Sequence, residues 1–103
     1  TILKERKRVI INFLIIIQEK MINYVSENIK NIFLNICPYI ELDEKKKLAD
    51  LGIDSLSFVK IVIEIEVFFV IKFNDEDLNY DKLNTLDDVC NYVLEKLRCV
   101  KQE

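Results

Sequence analysis

The sequence has no histidine and no tryptophan, and it holds one glycine and one proline among 103 residues. Without histidine it lacks the imidazole of most hydrolytic triads and every histidine-containing metal site. A single glycine excludes the glycine-rich loops that bind phosphate. So few turn-forming residues disfavour an all-β fold and favour a few helices joined by loops. Catalysis by the chain's own side chains is therefore not expected.

Cysteine is also scarce, with Cys37, Cys90 and Cys99 widely spaced and no CxxC pair. An odd number at this spacing fits neither a disulfide framework nor a zinc site, so we predict reduced structural thiols and a cytoplasmic location. The length, with 50% apolar and 32% charged residues, describes one small domain with a modest core.

Charge is distributed unevenly along the chain. Residues 1–20 carry five basic and two acidic side chains, a net charge of +3, whereas residues 21–103 carry a net charge of −6. An acidic body binds nucleic acid poorly and suits basic protein surfaces. We therefore predict protein partners and no nucleic acid.

The N-terminal extension, residues 1–20, joins the basic run KERKR to the apolar run VIINFLIII. This run of nine residues, eight of them apolar, is too short to span a bilayer, which takes about 20, and no small-residue cleavage site follows. Three interpretations stay open. The extension is an extra helix continuous with the next one, a contact with a membrane surface, which is the least favoured, or a stretch ahead of a natural start at Met21.

Two segments carry clear helical patterns. From Met21 onwards apolar residues recur at steps of three and four, which predicts an amphipathic helix that Pro38 ends. Its stripe comprises Ile22, Val25, Ile29, Ile32, Phe33 and Ile36. A last helix opens with a capping-box-like start at Thr85. Its core stripe comprises Leu86, Val89, Cys90, Val93 and Leu97.

The segment from Ser55 to about Ile71 is ambiguous, because part of it alternates as a strand would. Its length without a turn signal favours a helix. Leu56, Val59, Ile63 and Val67, together with Val62 and Ile65, also make an acceptable apolar face for such a helix. A long connection over residues 38–54, with Leu48 and Leu51 packing inwards, precedes it, and a short helical turn, NDEDL, follows. The sequence thus predicts an all-α bundle of three main helices plus a short fourth, with a long loop before the second helix.

The run LGIDSLSFVKIVIEIE, residues 51–66, places a glycine, an aspartate and a serine directly before this second helix. It resembles the attachment site of acyl and peptidyl carrier proteins, whose signature is an LGxDSL run at that position. The surrounding helices match as well, so the resemblance covers about residues 21–98. This divides the chain into the N-terminal extension, a carrier domain over 21–98 and a tail over 99–103.

The resemblance implies that Ser55 is linked covalently to phosphopantetheine, whose thiol carries an acyl or aminoacyl group as a thioester. A serine in a first helical turn places the phosphodiester beside unsatisfied amides and the positive end of the helix dipole. Gly52 would permit a tight turn with positive φ. Asp54 would cap the helix and orient the metal and cofactor of the modifying transferase, and Leu56 would adjoin the arm. The alternative makes Asp54 and Ser55 a helix cap only.

Partner enzymes of the family dock on the second helix. The resemblance therefore implies contacts by Phe58, Val62, Ile63, Glu64 and Glu66. Among the apolar residues of this helix, Phe58 and Val62 are expected to be exposed, and Val59 and Ile63 to be partly or wholly buried.

Three residues depart from the family pattern. Lys60 stands where many carriers have an acid, and Val67 with Phe68 replaces an often acidic stretch. Because charge complementarity steers encounter, these departures favour nonribosomal peptide, polyketide or another specialised pathway over fatty-acid synthesis, which stays the alternative.

We predict a free-standing, monomeric carrier without catalysis of its own. Its partners would be a phosphopantetheinyl transferase, a loading ligase or acyltransferase, and a downstream synthase. The rival from another class is an unmodified acidic helical module that binds a partner helix.

Overall fold

The computed structural model describes residues 1–79 and 81–99, and within them it contains three α-helices and no strand. These are α1 (Ile2–Ile36), α2 (Ser55–Phe69) and α3 (Leu86–Cys99). Two 3-10 turns, Ala49–Leu51 and Asp75–Asp77, lie in the connections before and after α2. The predicted all-α bundle with a short fourth helical piece is confirmed. The predicted tail lies outside the described residues from 100 onwards.

Helix α1 is a single helix of 35 residues, so the N-terminal extension continues directly into the predicted first helix. The chain offers no glycine or proline before Pro38 to interrupt it. Only the second half packs, with Val25, Ile29, Ile32 and Phe33 buried, whereas residues 1–20 are all exposed. By length and composition alone this helix could cross a membrane.

Helices α2 and α3 both pack against the second half of α1, and the core lies between them. In α3 the predicted stripe is confirmed, because Leu86, Val89, Cys90 and Val93 are buried and Leu97 is partly buried. The long connection adds buried Leu48 and partly buried Leu51, as predicted.

The apolar face predicted for α2 is wrong at four of its six positions and right only at Val62 and Ile65. The structure buries Phe58, Ile61, Val62 and Ile65, and it exposes Leu56, Val59, Ile63 and Val67 by 65, 52, 51 and 72% of their surface. Both sets have helical spacing, since apolar residues surround most of this helix. Periodicity therefore predicts the helix but cannot choose its inner side, which depends on what α1 and the neighbouring loops cover.

The connection before α2 is fastened to the beginning of α3. The amide of Leu48 donates to the carbonyl of Asn84 at 2.8 Å, and the amide of Asp87 donates to the carbonyl of Glu44 at 3.2 Å. Thr85 caps α3 as predicted, because its hydroxyl accepts from the amide of Asp88, whose carboxylate accepts from the amide of Thr85.

The connection after α2 is held by the side chain of Tyr92. Its ring stacks on Phe73 with centroids 4.8 Å apart, and its hydroxyl accepts from the amide of Asn74 and donates to the carboxylate of Asp77. The carboxylate of Glu66 accepts from the amide of Phe73 at 2.9 Å. These bonds fix the turn after α2 against both α2 and α3.

Helix α2 ends at Phe69, and Val70, the residue that caps it, has a left-handed backbone with φ 54° and ψ 52°. Its amide still donates to the carbonyl of Glu66, which closes the helix. Glycine or asparagine normally occupies such a position, because a β-branched side chain clashes with its own backbone there. Val70 is also 85% exposed, so no burial of its side chain offsets the strain.

We expect Val70→Gly to raise the free energy of unfolding by about 0.5–1 kcal/mol, the left-handed strain removed less the extra chain entropy of glycine. Urea denaturation measures this change. Val67→Gly, a control at an exposed position inside α2, should lower the free energy of unfolding by about 0.5 kcal/mol, the difference in helix propensity between valine and glycine. Equal losses in both variants would contradict the strain at Val70.

Alanine substitutions at Ile61 and Ile63, two positions apart, test which face of α2 is buried. Ile61→Ala should lower the free energy of unfolding by about 2–4 kcal/mol because it leaves a cavity in the core. Ile63→Ala should lower it by less than about 1 kcal/mol because that side chain is half exposed. A larger loss for Ile63→Ala than for Ile61→Ala would restore the face that the sequence predicts.

Candidate functional site

Ser55 is exposed at the first position of α2. The other end of α2 lies where α1 leaves the bundle, since the rings of Phe68 and Phe69 are 6.4 and 6.3 Å from that of Tyr24. Helix α2 has 15 residues, so a rise of 1.5 Å per residue separates Ser55 from that end by roughly 20 Å. Ser55 therefore occupies the end of the bundle remote from the N-terminal extension.

Asp54 caps α2, as predicted. Its backbone is extended, and its carboxylate accepts from the amide of Ser57 at 2.8 Å. This backbone hydrogen bond is the main cause that lowers the pKa of Asp54 below its ordinary value. Within the described chain the amides of Ser55 and Leu56 donate to no protein acceptor. The capped helix thus presents an ionised carboxylate beside two open amides.

Gly52 has φ 89° and closes the turn before the site, as predicted. A Cβ built there would meet nothing within 4 Å, so the backbone conformation, rather than a lack of space, requires glycine. The next amide, that of Ile53, donates to the carbonyl of Leu48, and the Ile53 side chain is buried. The residue two positions before Ser55 is therefore anchored in the core.

The outward side of α2 carries an apolar row that begins next to Ser55. We call this row the outer stripe; it comprises Leu56, Val59, Ile63 and Val67, all more than half exposed. The expectation that Phe58 and Val62 are exposed contacts is wrong, because they belong to the inner face and are only 8 and 6% exposed. Val59 and Ile63, expected in the core, are the residues that a partner can reach.

The two predicted docking acids differ in their surroundings. Glu64 is exposed, and Lys60 is exposed one helical turn before it. Glu66 is partly buried, and its carboxylate is engaged by the amide of Phe73. Sequence spacing shows no sign of this second role, because the bond joins residues seven positions apart across the end of the helix.

A groove of about 230 Å³ runs beside α2 and the turn that follows it. Its apolar lining comprises Phe58, Val59, Val62, Ile63, Phe73 and Leu78, and Glu66, Lys72 and Asp75 supply its polar part. Val59 lies one helical turn from Ser55. An apolar chain attached near Ser55 could therefore be partly withdrawn from water here. Sequence reasoning missed Phe73 and Leu78, which reach the groove only through the fold of the loop.

The chemistry of the site is that of an accessible hydroxyl at a helix N-terminus. No group of three histidine, cysteine or acidic residues in the described part of the chain could hold a metal ion. Burial raises the pKa of the Cys90 thiol to about 11, so it stays protonated near neutral pH. A phosphodiester fits the start of α2, because the open amides and the helix dipole favour its negative charge.

Comparison with known proteins agrees with this geometry. A family model described as a phosphopantetheine attachment site matches residues 27–93. An acyl carrier protein of Wolinella succinogenes is 35% identical over 72 residues, which cover 67% of the chain and 92% of that protein. An acyl carrier protein of Thermotoga maritima is 40% identical over 55 residues, 53% of the chain.

A meromycolate extension acyl carrier protein of Mycobacterium leprae is 38% identical over 76 residues, 74% of the chain. The chain spans just under two thirds of the Thermotoga and Mycobacterium proteins, at 65 and 64% of their lengths. The matched family region includes the capped start of α2 and most of the core. The chain therefore belongs to the family of acyl carrier proteins with a phosphopantetheine attachment site, as the resemblance of residues 51–66 implies.

Proposed function

We propose that Ser55 carries phosphopantetheine and that the protein presents an acyl or aminoacyl thioester to partner enzymes, acting as a carrier and not as a catalyst. The observation that carries this proposal is the exposed Ser55 at the capped start of α2, inside the region that the family model matches. The bound group supplies the thiol that forms the thioester. Tethering raises the effective concentration of the cargo at each partner.

Ser55 is favoured over the other serines of the chain by its surroundings. Ser57 is partly buried, and its amide is the one that Asp54 binds. Ser26 lies in the middle of α1 and is partly buried. Ser55 alone combines exposure with a first-turn position, where a phosphodiester meets open amides.

The neighbouring residues would position the attachment site. We propose that the amides of Ser55 and Leu56 hold the phosphodiester and that Gly52 leaves room for the modifying transferase. Asp54 fixes the start of the helix, and its exposed, ionised carboxylate would orient the metal and cofactor that the transferase brings. The apolar groove beside Val59 would shelter part of an apolar cargo.

We assign the carrier domain to residues 21–98, because the buried core begins at Val25 and ends at Leu94. Its proposed partners are a phosphopantetheinyl transferase, a loading ligase or acyltransferase, and a downstream synthase. The net negative charge of this part suits basic protein surfaces and not nucleic acid. We propose a monomer that works in the cytoplasm.

We propose a specialised pathway because the accessible side of α2 carries little negative charge. Its accessible side is mostly apolar, Glu66 is engaged within the fold, and Lys60 offsets the exposed charge of Glu64. A partner that receives this surface would rely on apolar contact more than on basic residues. Fatty-acid synthesis is the alternative. An unmodified interaction module is the rival from another class, favoured by the exposed outer stripe.

Ser55→Ala should abolish modification by a promiscuous phosphopantetheinyl transferase supplied with coenzyme A, because it removes the acceptor hydroxyl. Intact-protein mass spectrometry measures the adduct, and circular dichroism should show unchanged helices. Ser57→Ala is the matched control and should be modified like the unaltered chain. If the unaltered chain is refused as well, the unmodified interaction module replaces the carrier.

Substitutions of Glu64 and Glu66 test separately the contribution of α2 to partner docking and its contribution to folding stability. Glu64→Lys should slow modification by the transferase more at low than at high salt, because salt screens exposed charges. The free energy of unfolding of the Glu64→Lys variant should equal that of the unaltered chain. Glu66→Ala should instead lower the free energy of unfolding by about 0.5–1.5 kcal/mol, because the amide of Phe73 loses its acceptor. A salt-independent effect of Glu64→Lys would argue against electrostatic steering.

A further inference from the structure

The first half of α1 is an apolar helix surrounded by solvent. We call residues 9–17 the apolar segment; eight of its nine side chains are apolar and are 46–67% exposed, and Asn12 is the exception. Successive residues turn by about 100°, so nine of them present apolar side chains in every direction. The stretch that could cross a membrane by composition is only 6% buried. A helix that is apolar all round normally lies in a core or in lipid.

A second exposed apolar surface lies at the same end of the bundle. Val67, Phe68 and Val70 are 72, 47 and 85% exposed at the end of α2, and the Phe68 ring lies 6.4 Å from that of Tyr24 in α1. Val70 keeps its apolar side chain in the strained left-handed conformation described above. Because glycine would relieve this strain, the retained valine indicates that its exposed apolar side chain has a use, such as contact with a binding partner or surface.

The charged residues just before the apolar segment are predominantly basic. Lys4, Arg6, Lys7 and Arg8 are all exposed, with Glu5 as the one acid among them, whereas residues 21–103 are net negative. A basic cluster next to an apolar helix is complementary to an anionic lipid surface, which attracts the cations and receives the apolar side chains. From these observations we infer that the protein binds anionic membranes through residues 4–17.

A second copy of the chain would cover this helix less completely. A pair of helices buries about two positions in seven along one seam, which would leave the remaining isoleucines of the segment in water. Parallel pairing would also place two basic clusters side by side. Lipid surrounds the helix and meets the positive charge with a negative one, so the lipid surface is the better occupant.

The same residues determine the orientation on the membrane. Although α1 as a whole is long enough to cross a membrane, Val25 already packs in the core, and the apolar segment itself extends only about 14 Å, well short of the roughly 30 Å hydrocarbon core. Charged residues stand at both ends of the segment, Arg8 before it and Glu19 with Lys20 after it. The helix therefore lies along the surface, sunk to the level of the headgroups. Ser55, at the opposite end of α2, lies roughly 20 Å along the bundle from the end where α1 leaves it, so contact of the apolar segment with lipid does not cover it.

Flotation of the full chain with vesicles of phosphatidylglycerol and phosphatidylcholine tests the inference. We expect binding at least about tenfold tighter than to pure phosphatidylcholine, since each basic residue near an anionic surface adds attraction. Raising the salt should reduce this difference. Arg6→Glu combined with Arg8→Glu should abolish the preference for anionic vesicles.

A pair of double variants makes the test specific. Leu14→Asp with Ile16→Asp places charges on opposite sides of the apolar segment and should abolish vesicle binding. Val59→Asp with Ile63→Asp is the matched control, because these side chains are about as exposed, at 52 and 51% against 57 and 51%, and should bind like the unaltered chain. All four positions are exposed, and circular dichroism should show unchanged helices.

Equal binding by both double variants would overturn the inference, and so would a stable dimer that ignores vesicles, which would assign the segment to a second copy. The inference is independent of the proposed carrier function. Modification of Ser55 by the transferase is measured separately in solution, so failure of one leaves the other standing. On vesicles, modification should proceed at a similar rate; a block of more than about tenfold would contradict the proposed separation of Ser55 from the lipid contact.

Discussion

Burial of one face of α2 against α1, in the core that all three helices share, is the constraint on which the rest of the structure depends. Phe58, Ile61, Val62 and Ile65 pass through the core, and burying such side chains contributes roughly 1.5–3 kcal/mol each. Once this face is fixed, the directions of all other residues on the helix follow. The outer stripe faces solvent, and Ser55 is presented at the exposed start of the helix.

At the start of α2, a turn that needs glycine is followed by residues that are held firmly in place. A left-handed Gly52 redirects the chain, Ile53 anchors it in the core, and Asp54 satisfies one amide of the first turn. The amides of Ser55 and Leu56 stay available to an anion. A group attached to Ser55 is therefore held by elements whose own positions are fixed by packing, which is what a reproducible attachment site needs.

Helix α1 gives the molecule two ends of different character. Its second half supplies the core against which α2 and α3 pack, and its first half contributes nothing to that core. The basic cluster and the apolar segment lie at one end, and the acidic carrier domain with Ser55 lies at the other. This separation would let the proposed membrane binding and the proposed partner docking occur on the same chain without competing for the same residues.

The helical class, the caps at Asp54 and Thr85, the turn at Gly52 and the buried stripe of α3 could all be predicted from the sequence. These follow from local chemistry, because caps, turns and a clearly two-sided helix depend on neighbours a few residues away. The buried side of α2 and the bond from Glu66 to the loop after the helix depend instead on how the elements pack together. A helix that is apolar on most sides has no unique inner face until other elements pack on it, and a bond to a distant amide leaves no periodic signal.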